Sequence, residues 1–431
     1  MSRSFYAEAM PPAPRRRPPW SLPYRPVVIG LGSLLVVFTG ILGLRLDAKT
    51  TLEVRTDKEL EMALGRVTGG ETIILQRGRY GFHYLGKPYA SPVTVRGVDR
   101  GGVQVQGFST VADADARTAA ANIVIRNMTI AGPDGGRDAI RINRGAHHIV
   151  LEDLTIRGGE HCVNINAYPY AGVTWPQDIT VRNSDLSHSL GDVVQIAGGR
   201  NLAFQHNFIH DPQDNPGDHV DGIQAIASDD LKIVGNSFTE PPTGTTGVNQ
   251  AIILGRADPY NRALTVRKSY VANNLIAGWR GSGILLAGTE ITWVVNNTSM
   301  PYRGQSGFVT VEKNPSARGG TAEAWDNAGL KVWNNIFNKV STDSRSDPLF
   351  ASHNLITERG AQYGSSLLTG RARFVTTDPT SPERYQLKAT SPAVDSGIAA
   401  PDGMTPNTDL DGLSRSGLPD RGAREYRPPA R

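Results

Sequence analysis

The chain has 431 residues, with 47 Gly, 28 Pro and only 7% aromatics, a mixture that favours many turns over long helices. Its net charge of +4 arises in residues 1–49, where seven Lys/Arg face only Glu8 and Asp47; of 45 basic and 41 acidic residues in all, 38 and 39 are left for the remainder, about −1. So neutral a main body gives no electrostatic ground for binding nucleic acid, and none is expected as a partner.

Residues 1–25 are a Pro/Arg-rich tail. The run from Val27 to Leu44 carries no charge and is long enough to cross a bilayer core as a helix. Five arginines precede it and little positive charge follows. The expectation is a single transmembrane signal anchor over 26–46 in the inner (cytoplasmic) membrane, with the tail in the cytoplasm and the rest in the periplasm or outside the cell. No small-x-small cleavage site follows the run, which favours an uncleaved anchor. Cys162 is the sole cysteine, so the exported part must hold together without disulfides.

Next, Thr56 and Glu59 form a capping box that opens a short amphipathic helix, DKELEMALGRV, placed to cover an open strand edge. After it, GGETIILQRGRY reads as the entry strand. From there to about residue 355 a short pattern recurs: IVIRNMTI (123–130), IVLEDLTI (149–156), ITVRNSDL (179–186), LAFQHNFI (202–209), LKIVGNSF (231–238), SYVANNLI (269–276), WVVNNTSM (293–300) and KVWNNIFN (331–338). Taking Asn127, Asp153, Asn183, Asn207, Asn236, Asn274, Asn297 and Asn335 as the recurring mark gives intervals of 26, 30, 24, 29, 38, 23 and 38 residues, about one solenoid coil each. Each coil has a second strand with period-two alternation, among them DAIRIN, HCVNINA, DVVQIAG, DGIQAIA, QAIILG and SGILLAG. No long helix separates the coils. An all-β solenoid over 50–355 is expected, with asparagine amides stacked from coil to coil at one turn, and 356–431 as a C-terminal closing segment.

GETIILQRGRY, the NN-apolar coils and the alternating strands resemble the right-handed parallel β-helix superfamily with the pectate lyase fold. SPAVDSGIAAP and TDLDGLSRSGLPDRGAREY resemble the C-terminal region of many exported bacterial β-helix proteins. The resemblance implies a polysaccharide substrate or ligand.

Aligning the second strands turns sequence into surface. If Ile140, Val163, Val194, Ile223, Ile252 and Ile284 point inward, then Arg141, Asn164, Gln195, Gln224, Ile253 and Leu285 point outward, on strands about 4.8 Å apart. Asp138, His161, Asp192 and Asp221 stand at the strand starts. Asp192 and Asp221, on adjacent coils, should approach within roughly 5 Å, where one carboxyl pKa must rise or a cation such as Ca²⁺ must bind. The alternative is an Asp ladder that only caps strand N–H groups.

The stretch HDPQDNPGDHVDGIQA leads into Asp221, and SHSLGD precedes it. The expected catalytic set is therefore His161, His188, His219, Asp192 and Asp221, with Asp192 and Asp221 also the metal ligands. Arg141, Asn164, Gln195, Gln224 and His210 are the expected substrate-binding groups. Tyr168, Tyr170 and Trp175, in an insertion, could stack on sugar rings or on one another. These residue types suit removal of the C5 proton of a uronate, completed as elimination by a lyase or as C5 epimerisation. A glycoside hydrolase with paired carboxylates and a non-catalytic carbohydrate-binding or envelope-organising β-helix are the alternatives. Asp409 and Asp411 in TDLDG read as a turn with weak Ca²⁺ potential.

Overall fold

Each coil is built from three strands, and each strand pairs in parallel with its equivalents one coil before and after, so the chain winds three parallel sheets around one core. The computed structural model describes residues 50–428 except 112–118, 168–172, 214–218, 240–248, 256–263, 280, 302–306, 313–325, 343–349, 359–364, 379–380, 382 and 400–404. The expected anchor over 26–46 lies outside the described residues, among which no helix is long and apolar enough to cross a membrane.

The first sheet contains Ala121–Arg126, His147–Glu152 and Gln177–Arg182, paired Ile123 to Ile149 to Ile179. The second contains the short strands Thr155–Arg157, Asp185–Ser187 and Phe208–His210. The third contains Ile140–Asn143 and Val163–Asn166, then the opening halves of Val194–Gln205 and Ile223–Val234. Its register is Ile140, Val163, Val194, Ile223, Ile252, Ile284, as the alternation requires. All six are buried in the core, each contributing roughly 1.5–3 kcal/mol by leaving water.

A sharp turn joins the first sheet to the second, and two neighbouring residues make it. The first takes positive φ: Asn127 (55°), Asp153 (54°), Asn183 (52°), His206 (54°), Asn273 (55°), Asn296 (53°) and Asn334 (56°). Asn and Asp tolerate this left-handed region better than other side chains with a Cβ. The second carries the ladder. Asn207 N donates to Asn236 Oδ1 at 3.0 Å, Asn236 N to Asn274 Oδ1 at 2.9 Å, Asn274 N to Asn297 Oδ1 at 3.0 Å and Asn297 N to Asn335 Oδ1 at 2.8 Å. Asn335 N extends it to Asn354 Oδ1, and Ser184 N begins it on Asn207 Oδ1. Asn127, Asp153 and Asn183 thus occupy the turn position, one residue before the ladder, which corrects the repeat marks in the first three coils. Both positions favour Asn, so residue type alone does not separate them.

The helix runs Asp57–Arg66 with Thr56 as its N-cap, and buries Leu60, Ala63 and Leu64. Glu59 N donates to Thr56 Oγ1 at 3.2 Å, but the Glu59 carboxylate accepts from Arg55 N at 2.6 Å rather than from the N-cap N–H. Parallel pairing continues past residue 355, to Leu368–Thr369.

Beyond that the chain doubles back along the turn edge of the later coils. Asn273 Nδ2 donates to Thr408 O at 2.6 Å, Asn296 Nδ2 to Asp420 O at 2.8 Å and Asn334 Nδ2 to Ile398 O at 2.7 Å. This accounts for the NN pairs: the first Asn holds the closing segment and the second continues the ladder. Asp409 is not arranged as a calcium ligand. Its carboxylate accepts from Asp411 N, Leu413 N and Glu425 N and pairs with Arg427 at 2.9 Å.

Candidate active site on the third sheet

Asp138, His161, Asp192 and Asp221 each precede the first inward residue of a third-sheet strand by two positions, and the register stacks them in one row. The row has two halves. In one, Asp138 Oδ1 lies 2.6 Å from His161 Nδ1, Asn164 Nδ2 donates to Asp138 Oδ2 at 3.1 Å, and Arg141 Nε stands 3.7 Å from the same oxygen. With Nδ1 held, His161 has Nε2 for chemistry. Nε2 faces Gly191, where a Cβ would sit 3.3 Å from it and equally close to Glu160 O and Oε1. Burial depresses the His161 pKa, but the hydrogen bond and charge of Asp138, aided by Asp192 and Glu160, carry it above its ordinary value.

In the other half, Asp192 Oδ1 accepts from Asp221 N at 2.9 Å, and Asp221 Oδ1 accepts from Gln250 N at 2.7 Å. Each carboxylate spends one oxygen on the next coil's N–H, so the capping ladder is real. Each also keeps a second oxygen for other partners. His219 Nδ1 is 3.0 Å from Asp221 Oδ2 and Gln224 Nε2 3.4 Å from it. One ligand atom from each of Asp192, His219 and Asp221 lies within 4.8 Å of the others. Burial, then the Asp221 charge, pushes the Asp192 carboxyl up to about 7, against the Asp221 N–H and the two histidines.

This donor set fits a divalent cation: two carboxylate oxygens and an imidazole nitrogen lie within 4.8 Å of one another. Calcium takes six to eight oxygens, of which the described side chains offer two; an imidazole is more typical of a first-row transition metal.

The outward column has Arg141 exposed, Gln195 and Gln224 half-buried, and Asn164 buried. Asn164 Oδ1 is buried without a hydrogen-bond partner among the described residues. The column closes after Gln224, because Ile253 and Leu285 are 1% and 3% exposed.

Other expected members lie elsewhere. His188 is exposed at a positive-φ turn (61°), where its carbonyl accepts from Gln213 Nε2 at 2.8 Å; its ring is not among the atoms converging on Asp221. His210 sits on the second sheet, between Asp211 (2.7 Å) and Asp185 (3.2 Å) and stacked on Phe208. Trp175 lies over Gly198 under the Arg200 guanidinium, 5.6 Å from the ring centroid, and so packs on the scaffold. Tyr168 and Tyr170 lie outside the described residues. Asp138, placed at a strand start but left out of the expected catalytic set, and Gly191 adjoin the His161 ring. Asp138 shares the strand-start spacing of the other acids, whereas nothing in the sequence marks Gly191.

No protein-family model and no curated protein sequence matches the chain. Among solved structures it is similar to the A-module of the Azotobacter vinelandii mannuronan C-5 epimerase AlgE6, with a TM-score of 0.50 at 14% identity over 73% of this chain and 94% of that one. The chain has the parallel β-helix fold. Pectate lyase Pel9A aligns over 88% of this chain and 97% of its own, at 14% identity and a TM-score of 0.49.

Proposed function

We propose that the protein acts on a uronate-containing polysaccharide by removing the C5 proton, as a lyase or a C5-epimerase. The observation that carries this is His161: its ring is fixed through Nδ1 by Asp138, and its Nε2 faces Gly191, which has no side chain. In this reading His161 accepts the C5 proton, and Asp138 is the residue that positions it. Arg141 opposes the charge of the uronate carboxylate. Asn164, Gln195 and Gln224 hydrogen-bond the sugar hydroxyls. His219, with 40% of its side chain exposed and anchored on Asp221, is placed as the second proton-transfer group. It protonates the departing glycosidic oxygen in elimination, or returns a proton to C5 from the opposite face in epimerisation.

A cation held by the Asp192 and Asp221 carboxylates, Ca²⁺ among the candidates, would help neutralise the uronate carboxylate and leave the His219 imidazole for proton transfer. The hydrolase reading is weaker, because Asp221 is fully buried and Asp192 4% exposed, and one oxygen of each is engaged by backbone. That an epimerase A-module shares the fold is compatible with this chemistry. In the same proposal the 26–46 span anchors the β-helix at the outer side of the inner membrane; carbonate extraction of membranes tests it, release into the wash counting against an anchor.

The decisive assay incubates the full chain with alginate, polymannuronate and polygalacturonate, with and without divalent cations. Ultraviolet absorbance of unsaturated ends marks a lyase, and inverted C5 centres by NMR mark an epimerase. Reducing ends alone would mark a hydrolase, and binding without chemical change a carbohydrate-binding module; either overturns the proposal.

A further inference from the structure

The outward column of the third sheet does not begin at Arg141. Tyr84 pairs with Ser109, Ser109 with Arg141 and Arg141 with Asn164, so Tyr84 stands on the same line, three strand spacings or about 14 Å from Asn164. It is 47% exposed, unusual for an aromatic ring on a face otherwise made of polar groups. Phe82, two residues earlier and on the same side, meets Tyr84 edge to face at 5.6 Å between centroids. Its ring lies on Gly107, where a Cβ would come within 2.7 Å of it. The missing side chain at 107 is what lets the aromatic pair lie against the strand.

Beside the pair opens a cavity of about 450 Å³ lined also by Leu64, Lys87, Tyr89 and Asp57. Lys87 Nζ is occupied by the helix carbonyls of Leu64 and Gly65, and Asp57 adds negative charge. The cavity therefore suits the apolar face of a sugar ring rather than its carboxylate. The other end of the column is closed by buried Ile253 and Leu285, so among the described residues its exposed side chains are Arg141 and, beyond the buried Ser109, Tyr84.

We infer that Tyr84 and Phe82 form a distal sugar-stacking subsite for the same glycan chain, which makes long chains better ligands than short ones. This rests on the third-sheet face being the glycan site. An exposed ring stacked on a pyranose contributes through buried apolar area and its π face, which corresponds to roughly a tenfold change in affinity.

The test uses the full chain with size-graded oligomannuronates, oligoguluronates and oligogalacturonates, and with neutral cello-oligosaccharides as a second probe. The expected result is a KM that falls with chain length in the wild type, a KM difference between long and short chains that collapses in Tyr84→Ala, and its recovery in Tyr84→Phe. Thermal melts confirm that the variants fold. Length dependence unchanged in Tyr84→Ala, while uronates are still turned over, overturns the subsite and leaves the catalytic reading intact. If no uronate is turned over but long cello-oligosaccharides bind by calorimetry and Tyr84→Ala weakens them about tenfold, the subsite stands and the uronate reading falls. If neither probe binds the wild type, both fall.

Discussion

Asp138 Oδ1 and His161 Nδ1 lie 2.6 Å apart across adjacent coils, so the solenoid itself sets the orientation of the imidazole. Two consequences separate catalysis from scaffolding. His161→Ala should lower turnover of the uronate substrate by about 10²–10⁴-fold, the usual worth of a general base. Asp138→Asn removes the hydrogen bond and charge that raise the His161 pKa, so the acidic limb of the pH–rate profile, where the base protonates, should move to lower pH as the maximal rate falls. A profile that kept its midpoint in Asp138→Asn would show that His161 is not the titrating base.

Gly191 is buried, its N–H donates to Glu160 O at 2.7 Å, and a Cβ there would lie 3.3 Å from His161 Nε2 and equally close to Glu160 O and Oε1. Gly191→Ala should lose most of its turnover, because the added Cβ crowds His161 Nε2, and its melting temperature, read alongside, shows how far the crowding of Glu160 O also disturbs the fold. If turnover persists, proton transfer does not use Nε2.

The Asp192 carboxyl, lifted to about 7 by burial and by Asp221, must give up its proton before it can hold a cation. Cation affinity should therefore rise as pH increases towards and through 7, with proton release on binding below it. Calorimetric titration of the full chain with Mn²⁺ and Ca²⁺ in two buffers of different ionisation enthalpy reads both effects. Asp192→Asn should abolish the binding. Binding that survives in this variant would place the cation elsewhere.

The third-sheet face was legible because period-two alternation leaves little freedom: once Ile140, Val163, Val194 and Ile223 are inward, Arg141, Asn164, Gln195 and Gln224 must be outward, and the pairings agree. The approach of Asp192 to Asp221 follows from the same register. Histidines on turns were not legible in this way. His188 is four residues from Asp192 and His210 eleven from Asp221, but closeness along a turn does not say which side of it a ring occupies, and both lie away from the row. Tyr84 escaped notice because Gly81 and His83 interrupt the apolar alternation of the first coil, so its place on the column emerges only from pairing with Ser109. The NN pairs marked the coils, but the second role of their first Asn depends on a segment more than 60 residues away in the chain.

Asn274 tests the ladder. Its Oδ1 accepts from Asn236 N and Nδ2, and its Nδ2 donates to Ile233 O and Asn297 Oδ1. Asn274→Ala leaves several buried partners unmet, at roughly 1–3 kcal/mol each before relaxation. Denaturant unfolding should show a loss of about 3 kcal/mol or more. A loss no greater than that of an exposed Asn→Ala change would mean that water replaces the amide.

His210 gives a pH dependence of stability apart from the site. Burial opposes its charge, but Asp185 and Asp211 bond both ring nitrogens and raise its pKa above the ordinary 6.5. The folded state therefore binds this proton more tightly than the unfolded one. The stabilisation is fully present below pH 6.5 and is lost as pH rises through the higher folded-state value. Hydrogen bonds to charged groups contribute about 1.5–3 kcal/mol, so His210→Gln should destabilise by about 2 kcal/mol at pH 5.5 and progressively less above neutrality. Urea unfolding of both proteins across pH 5.5 to 8.5 follows the difference. A gap that stayed constant over that range would show that the His210 imidazolium does not hold the two aspartates together.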